Sequence, residues 1–213
     1  MTTTKRINYK QIGMIACAVV VVIMIIAAVA IFGSDSNPER VLKKYLNASD
    51  YRTTMKYMAF DLDTVYKEIC ASNGIPEKEF SNWLYNEMGA RSVKELYELE
   101  AAKYLEYLED RVGNNVKFSY NINDSHYFNS RDRARQIDQL KGMFRQVRVD
   151  ASNFIPFDKI SEMMEFEIEI TVSGSDEEMT VIGKVIMVKI GRNWRVLDDS
   201  DVSDKLYGNA LFY

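Results

Sequence analysis

From Gly13 to Gly33 the chain reads GMIACAVVVVIMIIAAVAIFG, with no charge and no proline. As a helix the stretch from Met14 to Phe32 rises about 28 Å, close to the hydrocarbon thickness of a bilayer. Val and Ile are mediocre helix formers in water, but in lipid a lone segment can satisfy its backbone only as a helix. A transmembrane helix over residues 13–33 is therefore expected. Lys5, Arg6 and Lys10 precede it, and Ser34, Asp35 and Ser36 follow. That positive-inside pattern predicts a cytoplasmic tail over residues 1–12, a single pass through the cell membrane and an extracytoplasmic carboxy-terminal part. Ala28-Val29-Ala30 resembles an export-signal cleavage site, but the apolar run before it exceeds the usual core of about 7–15 residues. An uncleaved anchor is the expectation.

After a linker over residues 34–37, residues 38–213 suffice for one domain. With 47% hydrophobic residues, 13 Tyr and 10 Phe in the chain, material for a core is ample. The formal charge is -4 overall, and beyond the three cations of the tail it is -7. A surface that tracks phosphates needs excess Lys and Arg, so nucleic acid is not an expected partner. The same sign disfavours a domain that lies along the membrane surface. Cys17 falls in the apolar run, which leaves Cys70 without an intrachain disulfide partner and expected to act as a small buried hydrophobe.

Periodicity divides the domain into helices followed by sheet. Pro38 after Asn37 starts a helix that turns Val41, Leu42, Tyr45 and Leu46 inward. Asp50 caps a second, and Asp61 or Asp63 a third that Asn73 and Gly74 end. A fourth, restarted at Pro76, turns Phe80, Trp83, Leu84 and Met88 inward before Gly89. Ser92 with Glu95 is a capping box ahead of a long helix with Val93, Leu96, Tyr97, Ala101, Tyr104, Leu105, Leu108 and Val112 inward. At Gly113 the period changes to two, and Val116, Phe118, Tyr120 and Ile122 alternate with polar residues as in a strand with one wet face. A polar loop containing His126 leads to a helix over about 131–146, with Ala134, Ile137, Leu140 and Phe144 inward. Met164, Phe166, Ile168, Ile170 and Val172 then alternate with Glu165, Glu167 and Glu169. A turn at Ser173–Asp176 leads into Met179–Ile190, apolar on both faces and so a central strand, and then into Trp194–Leu197. The expected class is α+β, with helices on one face of a curved antiparallel sheet.

Chemistry-bearing motifs are sparse. One histidine precludes a His-rich metal cluster, and there is no Gly-rich phosphate loop, CxxC pair or GxSxG elbow. His126 reads as a surface residue, and the Glu165, Glu167 and Glu169 ladder as a solvated face. Tyr120 is the one polar-tipped side chain on the inward face of its strand. No catalytic, cofactor or metal residue is assigned, and no cofactor is expected.

Three patches carry a resemblance. One is Pro38-Glu39-Arg40-Val41-Leu42-Lys43-Lys44-Tyr45-Leu46, with Asp50-Tyr51 and Met55-Lys56-Tyr57-Met58. Another is the hairpin Glu165 to Ile190, with Ser173-Gly174-Ser175 at its tip. The third is Val188-Lys189-Ile190-Gly191-Arg192-Asn193-Trp194-Arg195-Val196. Together they resemble the nuclear transport factor 2-like superfamily, in its membrane-anchored or lipoprotein-type domains of unknown function from Gram-positive bacteria. The resemblance implies a cone-shaped sheet enclosing a pocket, which Tyr120, Phe166 and Ile168 would line. The chain departs from the simplest members of the superfamily in two or more extra helices, about Asp61 to Val112, before the first strand, placed to fill or cover the mouth of the cone. It fixes no activity, because such folds host isomerases, hydratases, ligand binders and docking modules. The expected function is a non-enzymatic extracytoplasmic module that binds a protein or small molecule. Two alternatives are an isomerase- or hydratase-type enzyme using a pocket carboxylate, and a structural subunit of an envelope complex.

Overall fold

The computed structural model describes residues 36–146 and 148–207. The tail, the apolar segment over 13–33 and Cys17 lie outside the described residues. Among the described residues no helix is long and apolar enough to cross a membrane.

Among the described residues five helices come first: α1 (Pro38–Leu46), α2 (Tyr51–Tyr57), α3 (Leu62–Ser72), α4 (Phe80–Met88) and α5 (Val93–Val112). Strand β1 (Lys117–Tyr127) is followed by α6 (Ser130–Gln146), then by β2 (Ile160–Ser173), β3 (Glu178–Ile190), β4 (Asn193–Asp198) and a last helix, α7 (Ser200–Tyr207). The class is α+β, with helices packed on a four-stranded antiparallel sheet in the order β1-β2-β3-β4.

The helix starts follow the sequence. Asn37, Asp50, Asp61 and Ser92 each accept a hydrogen bond from the backbone N–H three residues on. The Glu95 carboxylate reaches back to accept the N–H of Arg91, one residue beyond the N-cap N–H of the reciprocal capping-box bond. Ser92→Ala removes the cap of the longest described helix and is expected to cost about 1 kcal/mol, read as a lower urea midpoint at unchanged slope.

In β2, Met164, Phe166, Ile168, Ile170 and Val172 are all buried, and Glu165, Glu167 and Glu169 take the opposite face, as the alternation predicts. Tyr120 stands opposite Ile170 and Ile122 opposite Ile168. The register then shifts between Ile122 and Asp124, a bulge that inserts Asn123. His126 therefore lies on β1 opposite Glu165, not in a loop, and the bulge is why the alternation appeared to stop. β3 lies between β2 and β4, as its two apolar faces suggested.

Two residues expected inward are exposed. Leu105 is 44% exposed because it sits about 100° round α5 from buried Tyr104. Ala134 is exposed because α6 buries only Leu140 and Phe144 fully, both in its second half.

Helix α7 was not foreseen. It is short and rich in aspartate, yet Val202, Ser203, Leu206 and Tyr207 all turn inward. It sits flush on β3, where a Cβ on Gly183 would come within 2.8 Å of the Val202 Cα. The β2–β3 turn packs as closely on the end of α5. A Cβ on Gly174 would stand 2.2 Å from the Val112 carbonyl oxygen, which accepts the N–H groups of Asp176 and Glu177. Residues 58–59 run beside β4, where the Ala59 N–H donates to the Val196 carbonyl at 2.7 Å.

Candidate functional site

The three residues expected to line a pocket do share one sheet face, through the pairing of β1 with β2. Phe166 is 2% and Ile168 0% exposed, so solvent does not reach that part of the face. Tyr120 is half-buried, and its hydroxyl accepts a bond from the Asn47 side-chain amide at 2.8 Å, which ties β1 to the end of α1.

A polar cluster lies deeper, where α1, α2, α5 and α7 bring side chains together. Asp199 links β4 to α7, and its carbonyl accepts the N–H groups of Val202 and Ser203. Its side chain is wholly buried, and Oδ2 accepts the Tyr45 hydroxyl at 2.6 Å. Asp199 Oδ1 and Ser203 Oγ are buried without a hydrogen-bond partner. Nearby, the Tyr97 and Thr54 hydroxyls share a 3.1 Å bond, and Thr54 donates to the Asp50 carbonyl. Tyr207 packs on Tyr104, with ring centroids 4.4 Å apart.

Burial is the largest influence on Asp199 and pushes its carboxyl well above the usual carboxylate range, with the charges of Asp198 and Asp204 adding to the rise. The Tyr45 bond acts the other way and is too small to offset them. Burial thus favours the neutral form of Asp199, and burial together with the Asp199 carboxyl raises the Tyr45 hydroxyl in turn. A buried carboxyl whose proton is held more tightly than usual is chemically apt for donating a proton or a hydrogen bond. At zero exposure, however, Asp199 meets no external molecule in this conformation.

None of this cluster was singled out from sequence. Tyr45 was legible as a core residue of α1, but Asp198-Asp199-Ser200-Asp201 reads as a solvated turn, and nothing in that run sets Asp199 apart. On the opposite face of the sheet, Glu165 pairs with Lys184 at 2.8 Å, with His126 Nδ1 at 3.9 Å. Cys70 is 1% exposed, and burial pushes its thiol up to about 12, as an inert core residue requires. Among the described residues no group of three or more His, Cys, Asp or Glu is placed to hold a metal ion. The chain matches no family model, no curated protein and no solved structure.

Proposed function

We propose that the chain is a membrane-anchored extracytoplasmic module of nuclear transport factor 2-like type, which works by binding at the cell envelope and not by catalysis. The observation that carries this reading is the closed sheet face. Phe166, Ile168 and Val185 are each at most 2% exposed, so contact with another molecule falls to the outer surface. That surface includes an apolar stretch of α5, where Leu99 and Leu105 are 41% and 44% exposed. The same stretch suits a structural subunit of an envelope complex, a related reading in which the partner is permanent.

The enzyme alternative gains a named group, since Asp199 is the buried carboxyl it needs, but it requires an opening that lets a substrate reach that group. A photoreactive residue at Leu99 of the full chain, in the membranes of the producing cell, separates the readings. The binding module is expected to give a discrete protein adduct that Leu105→Asp abolishes while stability changes by less than about 0.5 kcal/mol. Absence of any adduct at Leu99, together with turnover of a carbonyl or unsaturated substrate that Asp199→Asn eliminates, would favour the enzyme.

A further inference from the structure

The net charge of the domain hides a separation of charge. Residues 38–57 hold five Lys and Arg against two acidic residues, whereas residues 58–213 hold 19 against 28. The five are not scattered. On α1 the buried positions are Val41, Leu42, Tyr45 and Leu46, which leaves Arg40, Lys43 and Lys44 on the opposite side at i, i+3 and i+4 spacing. On α2, Thr54 and Tyr57 are buried, and Arg52 and Lys56 share the outward side one turn apart.

The two stripes meet at Tyr57. The Lys44 ammonium, from α1, and the Lys56 ammonium, from α2, lie 5.8 and 5.7 Å from the centre of that one ring. Lys43 pairs with Glu39, but both groups are about half exposed, so the pair is weak and readily exchanged. Arg40 and Arg52 are exposed and carry no ion pair among the described residues. Helix α6 is also rich in Arg and Lys, but several of its cations are engaged. Arg133 donates to the Ser161 carbonyl, Arg135 pairs with Asp132, and Lys141 covers the Phe157 ring.

We infer that the outward face of α1 and α2 is a docking surface for anionic phospholipid headgroups. The inference rests on the anchored reading above, because α1 begins at Pro38, five residues after Gly33 ends the apolar run. A linker that short holds the start of α1 within about 20 Å of the bilayer surface at full extension, and within reach of its field when relaxed. Phosphate groups there supply the negative charge that Arg40, Arg52 and Lys56 lack among the described residues. Burial of the opposite side of both helices fixes the backbones that carry the cations, so docking orders only their side chains. The domain is then not a freely swinging head: it lies with its basic pole down and its acidic remainder away from the lipid.

The test uses the full chain in vesicles of phosphatidylcholine alone or with 30% phosphatidylglycerol, the composition being a choice of experiment. Lysine acetylation is followed residue by residue by mass spectrometry at low and high salt. With anionic lipid, Lys43, Lys44 and Lys56 are expected to react about fivefold more slowly or less, with recovery at high salt, while Lys78 and Lys94 are unchanged. Combined Arg40→Gln, Arg52→Gln and Lys56→Gln should restore the phosphatidylcholine rate at Lys43 and Lys44. Equal rates in both lipids, or protection only when an acidic protein is added, would overturn the inference. Flotation with phosphatidylcholine vesicles reports on the anchor separately. A chain that floats only with anionic lipid and is released by salt would refute the anchor while upholding the headgroup contact.

Discussion

Gly183→Ala is expected to destabilise the domain by about 3 kcal/mol, at the upper end of the usual cost of overpacking a core. Two effects compete. In a strand with free space, alanine would gain about 0.4–1 kcal/mol by restricting the unfolded chain. Here the added Cβ would lie 2.7 Å from Val202 Cγ2 and 2.8 Å from Val202 Cα. The second contact is with backbone, so no rotamer change relieves it, and α7 must shift as a body. That shift strains the bond from the Lys184 N–H to the Asp201 carboxylate, now 2.8 Å, and the Tyr45–Asp199 bond at the other end of the turn. A urea titration that finds the variant as stable as the parent would mean that α7 does not sit flush on β3.

Asp199→Asn is expected to make the domain less sensitive to pH and more stable at neutral pH. The folded state holds this carboxyl protonated well above its ordinary range, while the unfolded chain ionises it near pH 3.9. Below that pH both states are protonated and there is no penalty. As pH rises through the window between the unfolded and folded values, the unfolded state loses its proton first. Stability then falls by up to about 1.4 kcal/mol per pH unit. Asparagine has no proton to lose, and its carbonyl oxygen can still accept the Tyr45 hydroxyl. The stability difference between variant and parent, from urea titrations at pH 4, 5, 6 and 7, should therefore move in favour of the variant as the pH rises from 4. A difference that stays constant would show that Asp199 ionises alike in both states.

The helical half was legible because its signals are local. Asn37, Asp50, Asp61, Ser92 and Gly89 mark ends through side-chain oxygens or a positive φ, and neither depends on the rest of the chain. The β2–β3 hairpin was legible because the alternation from Met164 to Val172 and a Ser-Gly-Ser turn agree. What failed depended on tertiary contact. The bulge at Asn123 reverses which parity faces the core, so a residue-by-residue alternation ends where the strand does not. α7 derives its stability from Val202 and Leu206 packing on the sheet, and its aspartates mimic a loop. The Asp199–Tyr45 pair joins residues 154 apart in sequence, and no local pattern announces such a bond. The position of Tyr120 on the face of Phe166 and Ile168 was foreseeable from alternation, but their burial depends on helices whose placement was not.

The central claim is that this α+β domain is tethered outside the cell by one apolar helix. The direct measurement is protease treatment of intact cells that produce the full chain, followed by alkaline extraction of their membranes. Arg40, Lys43 and Lys44 lie on the carboxyl flank of the segment and compete with Lys5, Arg6 and Lys10 for the cytoplasmic side, so sidedness is what the protease decides. The account predicts that the chain resists alkaline extraction and that external protease degrades the region from residue 38 onward in unbroken cells. Release of the chain by alkali, or full protection until the cells are broken, would contradict it.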